Sequence, residues 1–289
     1  MEILIIIILL VILFIYINYK VIFVSKYKLI NSKLPKSFDG VKILHLSDWH
    51  CTTYGKNNKR LINLINKKIE KEKIDIVVIT GDFIIRQKRD YNPALEFISK
   101  IKSDNIYFVY GNHEMILKTS ELEDFKIKLE KLGVVVLDNR KIELIKEKEK
   151  INIYGVSYIF SHIDSKKDLT EQLIEKYKKD YEEKIGIINQ EEYNILLSHD
   201  PMDFEIYARM GFDLIFSGHL HGGGIRFFGI GVATARKNWF FTRLAAGIHK
   251  KYNTQMIVSR GIGNSTRPIR IFDPPEISIT TLYANKRLK

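Results

Sequence analysis

Two histidines one residue apart, His219 and His221, stand in the stretch Ser217-Gly218-His219-Leu220-His221-Gly222-Gly223, directly behind the apolar run Phe212 to Phe216. In an extended segment alternate side chains share a face, so the pair is expected to project together, beside glycines that let a ligand approach the backbone. Four other apolar runs end in residues of the same chemical kind. Val41 to Ser47 leads into Asp48-Trp49-His50, Ile74 to Thr80 into Gly81-Asp82, Ile106 to Tyr110 into Gly111-Asn112-His113-Glu114, and Ile195 to Ser198 into His199. Carboxylate, imidazole and amide-oxygen donors together favour manganese, iron or zinc over an ion that prefers thiolates. Two aspartates, an asparagine and the histidines of these exits are too many for one tetrahedral centre; seven such ligands divide over two ions, with one carboxylate bridging. Two divalent ions roughly 3.5–4 Å apart stabilise both the attacking and the leaving oxygen of a displacement. The chemistry expected is hydrolysis of a phosphoester by a metal-held hydroxide.

Such a set works only if the chain brings five segments to one place. From Gly40 onward strand-like and helix-like segments alternate: helices are expected over Lys59 to Glu72, Pro93 to Ile101, Glu121 to Leu132 and Phe204 to Met210, between the apolar runs named above and Val134 to Leu137. This rhythm predicts a layered α/β fold with helices outside the sheet. Open α/β sheets carry their sites outside the carboxyl ends of the strands, where all five clusters would meet. Lys166 to Gln190 is charged and helix-prone and reads as an exposed helix or lid-like insertion. Gln255 to Ser259 and Ile277 to Leu282 read as strands of a second sheet built largely from antiparallel pairs.

The 289 residues allow a substantial core, and a net charge of +12 raises the question of a nucleic-acid or anionic-membrane partner. The lysines are spread among many glutamates, which argues against a nucleic-acid surface. Cys51 is the only cysteine, so no intrachain disulfide forms; it reads as a small residue beside the site rather than a catalytic thiol. Ile3 to Ile17 is apolar all round, and with its flank approaches the about 20 residues that span a bilayer. Glu2 ahead of the run and the lack of a small-residue cleavage site speak against a secretory signal. We therefore expect a transmembrane helix over 1–26, a basic linker over 27–40 and a catalytic domain over 41–289. Five lysines fall among the 17 residues from Lys20 to Lys36, a density nearly twice that of Lys plus Arg overall, which places the domain on the cytoplasmic side of the cell membrane.

The order D-x-H, G-D, G-N-H-E, H, G-H-x-H resembles the calcineurin-like metallophosphoesterase superfamily over residues 41 to 282. The tail Val258-Ser259-Arg260-Gly261-Ile262-Gly263-Asn264-Ser265, with Pro268, Arg270 and Pro274-Pro275-Glu276-Ile277, is similar to its membrane-anchored bacterial branch related to YkuE and YaeI. The resemblance implies a four-layer αββα sandwich of two mixed sheets. It also implies that Asp48, His50 and His221 hold one ion, that Asp82 bridges, and that Asn112, His199 and His219 hold the other. His113 would be no ligand but would face the phosphate, stabilising its charge or protonating the leaving oxygen. Gly224 stands where relatives often carry Gln, and Leu220 where small polar residues are common, which puts a substrate contact there in doubt. Arg260, Arg267 and Arg270 cluster beside glycines and either offer guanidinium groups to a phosphate or pair with surface carboxylates. His45, His162 and His249 read as structural. The function expected is a membrane-anchored dinuclear phosphohydrolase acting on a phosphomonoester, phosphodiester or pyrophosphate, with a lipid-linked substrate such as a UDP-diacylglucosamine-like pyrophosphate in view. The alternatives are a nuclease, which draws only on the basic charge, and a non-catalytic scaffold, which should lack ligands that are all present here.

Overall fold

A computed structural model describes residues 2–158, 170–233, 240–264 and 269–284. The chain begins with α1 (Glu2–Lys20) and β1 (Phe23–Asn31), followed by β2 (Lys42–Leu46), α2 (Lys59–Glu72), β3 (Ile76–Ile79), α3 (Asn92–Ile98), β4 (Ile106–Phe108), α4 (Thr119–Lys131) and β5 (Val134–Val136). A hairpin of β6 (Arg140–Lys146) and β7 (Glu149–Val156) precedes α5 (Glu171–Ile185), β8 (Asn194–Ser198), α6 (Phe204–Met210) and β9 (Leu214–Ser217). Then come β10 (Arg226–Phe227), β11 (Ile230–Ala233), β12 (Phe240–Thr242), β13 (Gly247–Lys251), β14 (Thr254–Val258) and β15 (Glu276–Ala284).

Two six-stranded mixed sheets stack face to face, in the orders β1-β15-β2-β3-β4-β5 and β13-β14-β9-β8-β7-β6. Period-two alternation along the strands sorts side chains between the layers. In β3 Val77 and Ile79 face the outer helices while Ile76 and Val78 face the other sheet; in β9 Leu214 and Phe216 point inward and Ile215 outward. α2 presents Leu61, Ile62 and Ile65 to the first sheet, and α4 presents Phe125 and Leu129. On the far side α5 buries Ile174, Tyr181 and Ile185, and α6 buries Phe204, Ile206 and Tyr207. The result is the αββα sandwich, with strands β2, β3, β4, β8 and β9 mutually parallel within each sheet, so that their carboxyl ends share an edge.

Two expectations change, and one open alternative is decided. The stretch 27–40 is no free linker: β1 runs parallel to β15 from Phe23↔Glu276 to Asn31↔Ala284, and the helix ends at Lys20, two residues before it. β1 is an edge strand with little buried surface, and its outward Lys26 and Lys28 are what made it read as solvated chain. Nor do the tail strands form a sheet of their own. β14 joins β9 in parallel and β15 lies between β1 and β2, so each of the large sheets takes one. The helix within 166–190 is an outer-layer element rather than a lid. Arg209 of α6 pairs with its Glu171 at 2.6 Å, and its Tyr181 hydroxyl donates to Asp203 at 2.5 Å.

Candidate metal centre

Each strand exit turns sharply before it presents its donors. Asp48, His50, Asp82, His219 and His221 all have positive φ, a left-handed backbone that costs a non-glycine residue on the order of 1 kcal/mol. Strain of this kind persists only where the surroundings hold it. Gly218 shows how closely they do: a Cβ there would lie 2.0 Å from Ser47 Oγ and 2.2 Å from Asp48 Oδ2. Residues 219–221 are therefore not extended, and the histidine pair does not project from one face. His219 and His221 turn into different groups.

The first group is Asp48, His50 and His221. His50 Nε2 lies 3.0 Å from His221 Nε2, and His221 Nε2 lies 3.3 Å from Asp48 Oδ1. The second gathers around His199, whose Nε2 is 3.1 Å from both Asn112 Oδ1 and His219 Nδ1. Asp82 Oδ2 stands between them, 3.4 Å from His199 Nε2 and 3.7 Å from His50 Nε2. All these residues except Asn112, which is half-buried, are buried. Donors that surround one ion at about 2.1 Å are about 3 Å apart. Buried nitrogens that face one another at that spacing beside carboxylates fit a pair of divalent ions. His199 Nδ1 lies 2.6 Å from the Thr80 carbonyl, to which it donates, and this turns Nε2 toward the group.

Electrostatics favour the ligating forms of His50, His221 and Asp82. Burial lowers His50 to about 3 and His221 well below its ordinary value, so both imidazoles are neutral and able to ligate. Burial raises Asp48 to about 6. Burial works against ionisation of Asp82 too, but the neighbouring His199, His113 and His50 outweigh it and hold that carboxyl well below its usual range. For His199 burial is likewise outweighed, by Asp82 and then Asp48, and the pKa rises to about 10, so an ion there binds in exchange for the Nε2 proton.

His113 lies beside both groups. Its Nε2 is 3.7 Å from Asp82 Oδ2, and its Nδ1 is held against the backbone, 3.2 Å from the Arg86 N–H and 3.1 Å from the Ile84 carbonyl. One residue on is a group that carried no assigned role in the sequence. Glu114 is buried and accepts the N–H groups of Asp82, Phe83, Ile84 and Gly111, tying two strand exits together. A carboxylate directly after Gly111-Asn112-His113 and ahead of the apolar Met115-Ile116-Leu117 was the available signal, because a charge carried into the interior there must find donors nearby.

The arginines divide. Arg270 is buried and donates to the carbonyls of Asp273, Arg260, Gly261 and Gly263 and to Asn264 Oδ1, so its guanidinium braces the tail loop and is not offered to a phosphate. Arg260 pairs with buried Glu276. Arg267 and His162 lie outside the described residues. His45 bonds Thr80 Oγ1 at 2.8 Å and burial lowers it to about 3; His249 lies 3.1 Å from the Ala246 carbonyl. Burial pushes the Cys51 thiol up to about 12, too high for a nucleophile at neutral pH.

A double-sheet sandwich that gathers aspartates and histidines in two adjoining groups at its strand ends is the architecture of a metal-dependent phosphoesterase. The family model for calcineurin-like phosphoesterases matches residues 41–223, and the chain belongs to that family, whose members depend on dinuclear metal sites. It is 29% identical over 262 residues to a metallophosphoesterase of Aquifex aeolicus, covering 90% of this chain and 91% of that one. It is 28% identical over 261 residues to the metallophosphoesterase YkuE of Bacillus subtilis, covering 87% and 82%. With the UDP-2,3-diacylglucosamine pyrophosphatase LpxG of Chlamydia muridarum it shares 24% identity over 296 residues, 86% of each chain.

Proposed function

We propose that the protein is a membrane-anchored hydrolase of a phosphate ester or pyrophosphate in a lipid-linked substrate, with Asp48, His50 and His221 holding one divalent ion, Asn112, His199 and His219 a second, and Asp82 bridging them. The observation that carries the site assignment is the position of Asp82 Oδ2 between two groups of neutral or hydrogen-bond-oriented donors. Manganese, iron or zinc held there supplies Lewis-acid polarisation of a phosphoryl oxygen and acidifies water. The chain's own contribution to bond cleavage is His113. With Nδ1 fixed by the backbone of residues 84 and 86, Nε2 faces the site and gives its proton to the leaving oxygen as the phosphorus–oxygen bond breaks; water bonds to phosphorus in its place, and the proton that water releases restores His113.

The lipid-linked class is supported by α1, which is long and apolar enough to cross a membrane and leaves nearly all of its apolar side chains exposed. It is supported also by likeness to LpxG, named for a diacylated sugar nucleotide. The full chain in detergent, supplied with manganese, is expected to hydrolyse a lipid pyrophosphate faster than mononucleotides or a generic aryl phosphodiester, and to stop with chelator. Turnover that survives chelation overturns the metal assignment; preference for the soluble compounds overturns the substrate class.

A further inference from the structure

The loop that follows the ligand His221 leads within six residues to an aromatic tip. β10 and β11 pair antiparallel around Phe228 and Gly229, and Phe227 is 58% and Phe228 97% exposed. Phe272, 58% exposed, lies edge-on to Phe227 with centroids 6.4 Å apart and edge-on to Phe14 of α1 at 5.2 Å. The loop carrying Phe272 is fastened to the same helix: the Asp273 N–H donates to Asn18 Oδ1 and the Arg270 N–H to the Tyr19 hydroxyl, both at 3.1 Å. Exposed aromatic rings are thus continuous with the apolar surface of α1. On another side of the helix lies a cationic rim. Lys20 reaches the Thr53 carbonyl at 3.4 Å, and exposed Arg60 donates to the Tyr16 hydroxyl at 2.9 Å, with exposed Lys59 beside it.

Length decides where these groups lie along a membrane normal. The 19 residues of α1 make a helix of about 28 Å, and its apolar run Ile3 to Ile17 only about 22 Å, against a hydrocarbon core of about 30 Å. A span this short draws its flanks into the headgroup layer. Phe14, which touches Phe272, sits about 9 Å along the axis from the helix end at Lys20. Only Val21 and Ile22 separate α1 from β1, so the domain does not swing on a tether.

On the reading of α1 as a membrane anchor, we propose that Phe227, Phe228 and Phe272 form a second membrane contact, inserting into the interface of an anionic bilayer while Lys20, Lys59 and Arg60 meet its phosphates, so that the metal centre opens at the membrane surface. Aromatic rings favour that layer, and cations near it gain from the negative surface potential. Two contacts on different sides of the helix fix the domain's tilt. The rim between His221 and Phe228 then lies against the plane in which a lipid-linked substrate presents its phosphates.

The test places nitroxide labels one at a time at residues 8, 228 and 145 of the full chain, as Ile8→Cys, Phe228→Cys and Ile145→Cys in a Cys51→Ala background. The protein is reconstituted into vesicles of equimolar phosphatidylcholine and phosphatidylglycerol, and collision with oxygen is compared with collision with a water-soluble nickel chelate. Residue 145, exposed at the opposite end of the strands, reports the aqueous reference. The expected result is an oxygen-to-nickel ratio at 228 several-fold above that at 145 and below that at 8. A ratio at 228 equal to that at 145, with 8 still shielded, overturns the second contact and leaves the anchor standing. A nickel-accessible label at 8 overturns the anchor and this proposal with it.

Discussion

Glu114→Gln tests how the site is held together. The native carboxylate accepts four backbone N–H groups: Asp82 and Gly111 on Oε2, both at 2.8 Å, and Phe83 and Ile84 on Oε1, at 2.8 and 3.2 Å. Gln has the same outline but a single acceptor oxygen. Whichever way the amide turns, two of the four N–H groups meet an NH2 and lose their acceptor. A buried donor left unpaired costs about 1–3 kcal/mol, so the pair costs roughly 2–6 kcal/mol. Burial, and after it the Asp82 carboxylate, raises the Glu114 pKa against these bonds, and the neutral side chain relieves that part, which favours the lower half of the range. At about 2–4 °C per kcal/mol for a chain of this size, the expected loss is roughly 10 °C.

Thermal unfolding of the full chain in detergent, followed by circular dichroism with manganese and with chelator, measures the loss. Metal analysis supplies the second readout. Three of the four N–H groups belong to residues 82–84, so the Asp82 exit should shift and bound metal should fall below that of the wild type. A variant that unfolds at the wild-type temperature with full metal content refutes the claim that Glu114 fixes the two exits.

Three further outcomes follow from the same geometry. His113→Ala is expected to keep its metal and lose turnover by about 10²–10⁴-fold, the usual worth of a positioned proton donor; loss of metal in elemental analysis would make His113 a ligand instead. Gly218→Ala puts a methyl group 2.0 Å from Ser47 Oγ and 2.2 Å from Asp48 Oδ2, so metal content and activity should both drop, and unchanged metal content would show that the β9 exit yields without cost. Asp273 is held at about 6 by burial, against Arg270, Arg260 and Arg226. A carboxyl with a raised folded pKa binds more protons folded than unfolded, so its contribution falls as pH rises from about 4 to 6; the stability of wild type minus Asp273→Asn, read from urea unfolding, should decline by roughly 3 kcal/mol across that window, and a flat difference sinks the assignment.

The strand exits were legible because each pairs a local pattern with a local chemistry: an apolar run of strand length, then Asp, Asn or His. That Asp48, Asp82, Asn112, His199 and His221 converge follows from the rule that parallel strands share a carboxyl edge, and the structure brings them within reach of one another. The separation of His219 from His221 was not readable as backbone geometry. Extended alternation would have kept them on one face, and it is the left-handed turns at both residues, permitted by close packing of Gly218 on Ser47, that part them. Arg270 stayed open between two roles for a related reason. Its partners are carbonyls of the loop itself, and a sequence shows that a guanidinium is present without showing which carbonyls the chain will turn toward it.

The stretch read as a linker matters most for function. β1 is built from a solvated pattern and becomes a strand only because β15, some 250 residues away, offers it an edge. From there hydrogen bonds run to the site without a gap: the Phe23 N–H to the Pro275 carbonyl, the Glu276 N–H to Gly261, and the Ile262 and Gly263 N–H groups to Ser47 and Asp48. Gly261 packs so closely on Asp48 that a Cβ there would lie 2.8 Å from the Asp48 Cβ. A helix joined through two residues to such a frame transmits its orientation to the proposed metal ligands, whereas a flexible tether of the fourteen residues 27–40 would let the domain sample a radius of about 20 Å. An enzyme of soluble phosphodiesters gains nothing from that constraint. On the proposed reading the substrate lies in the plane of a bilayer and needs its donors at a fixed height above it, a height that the β1–β15 pairing would set.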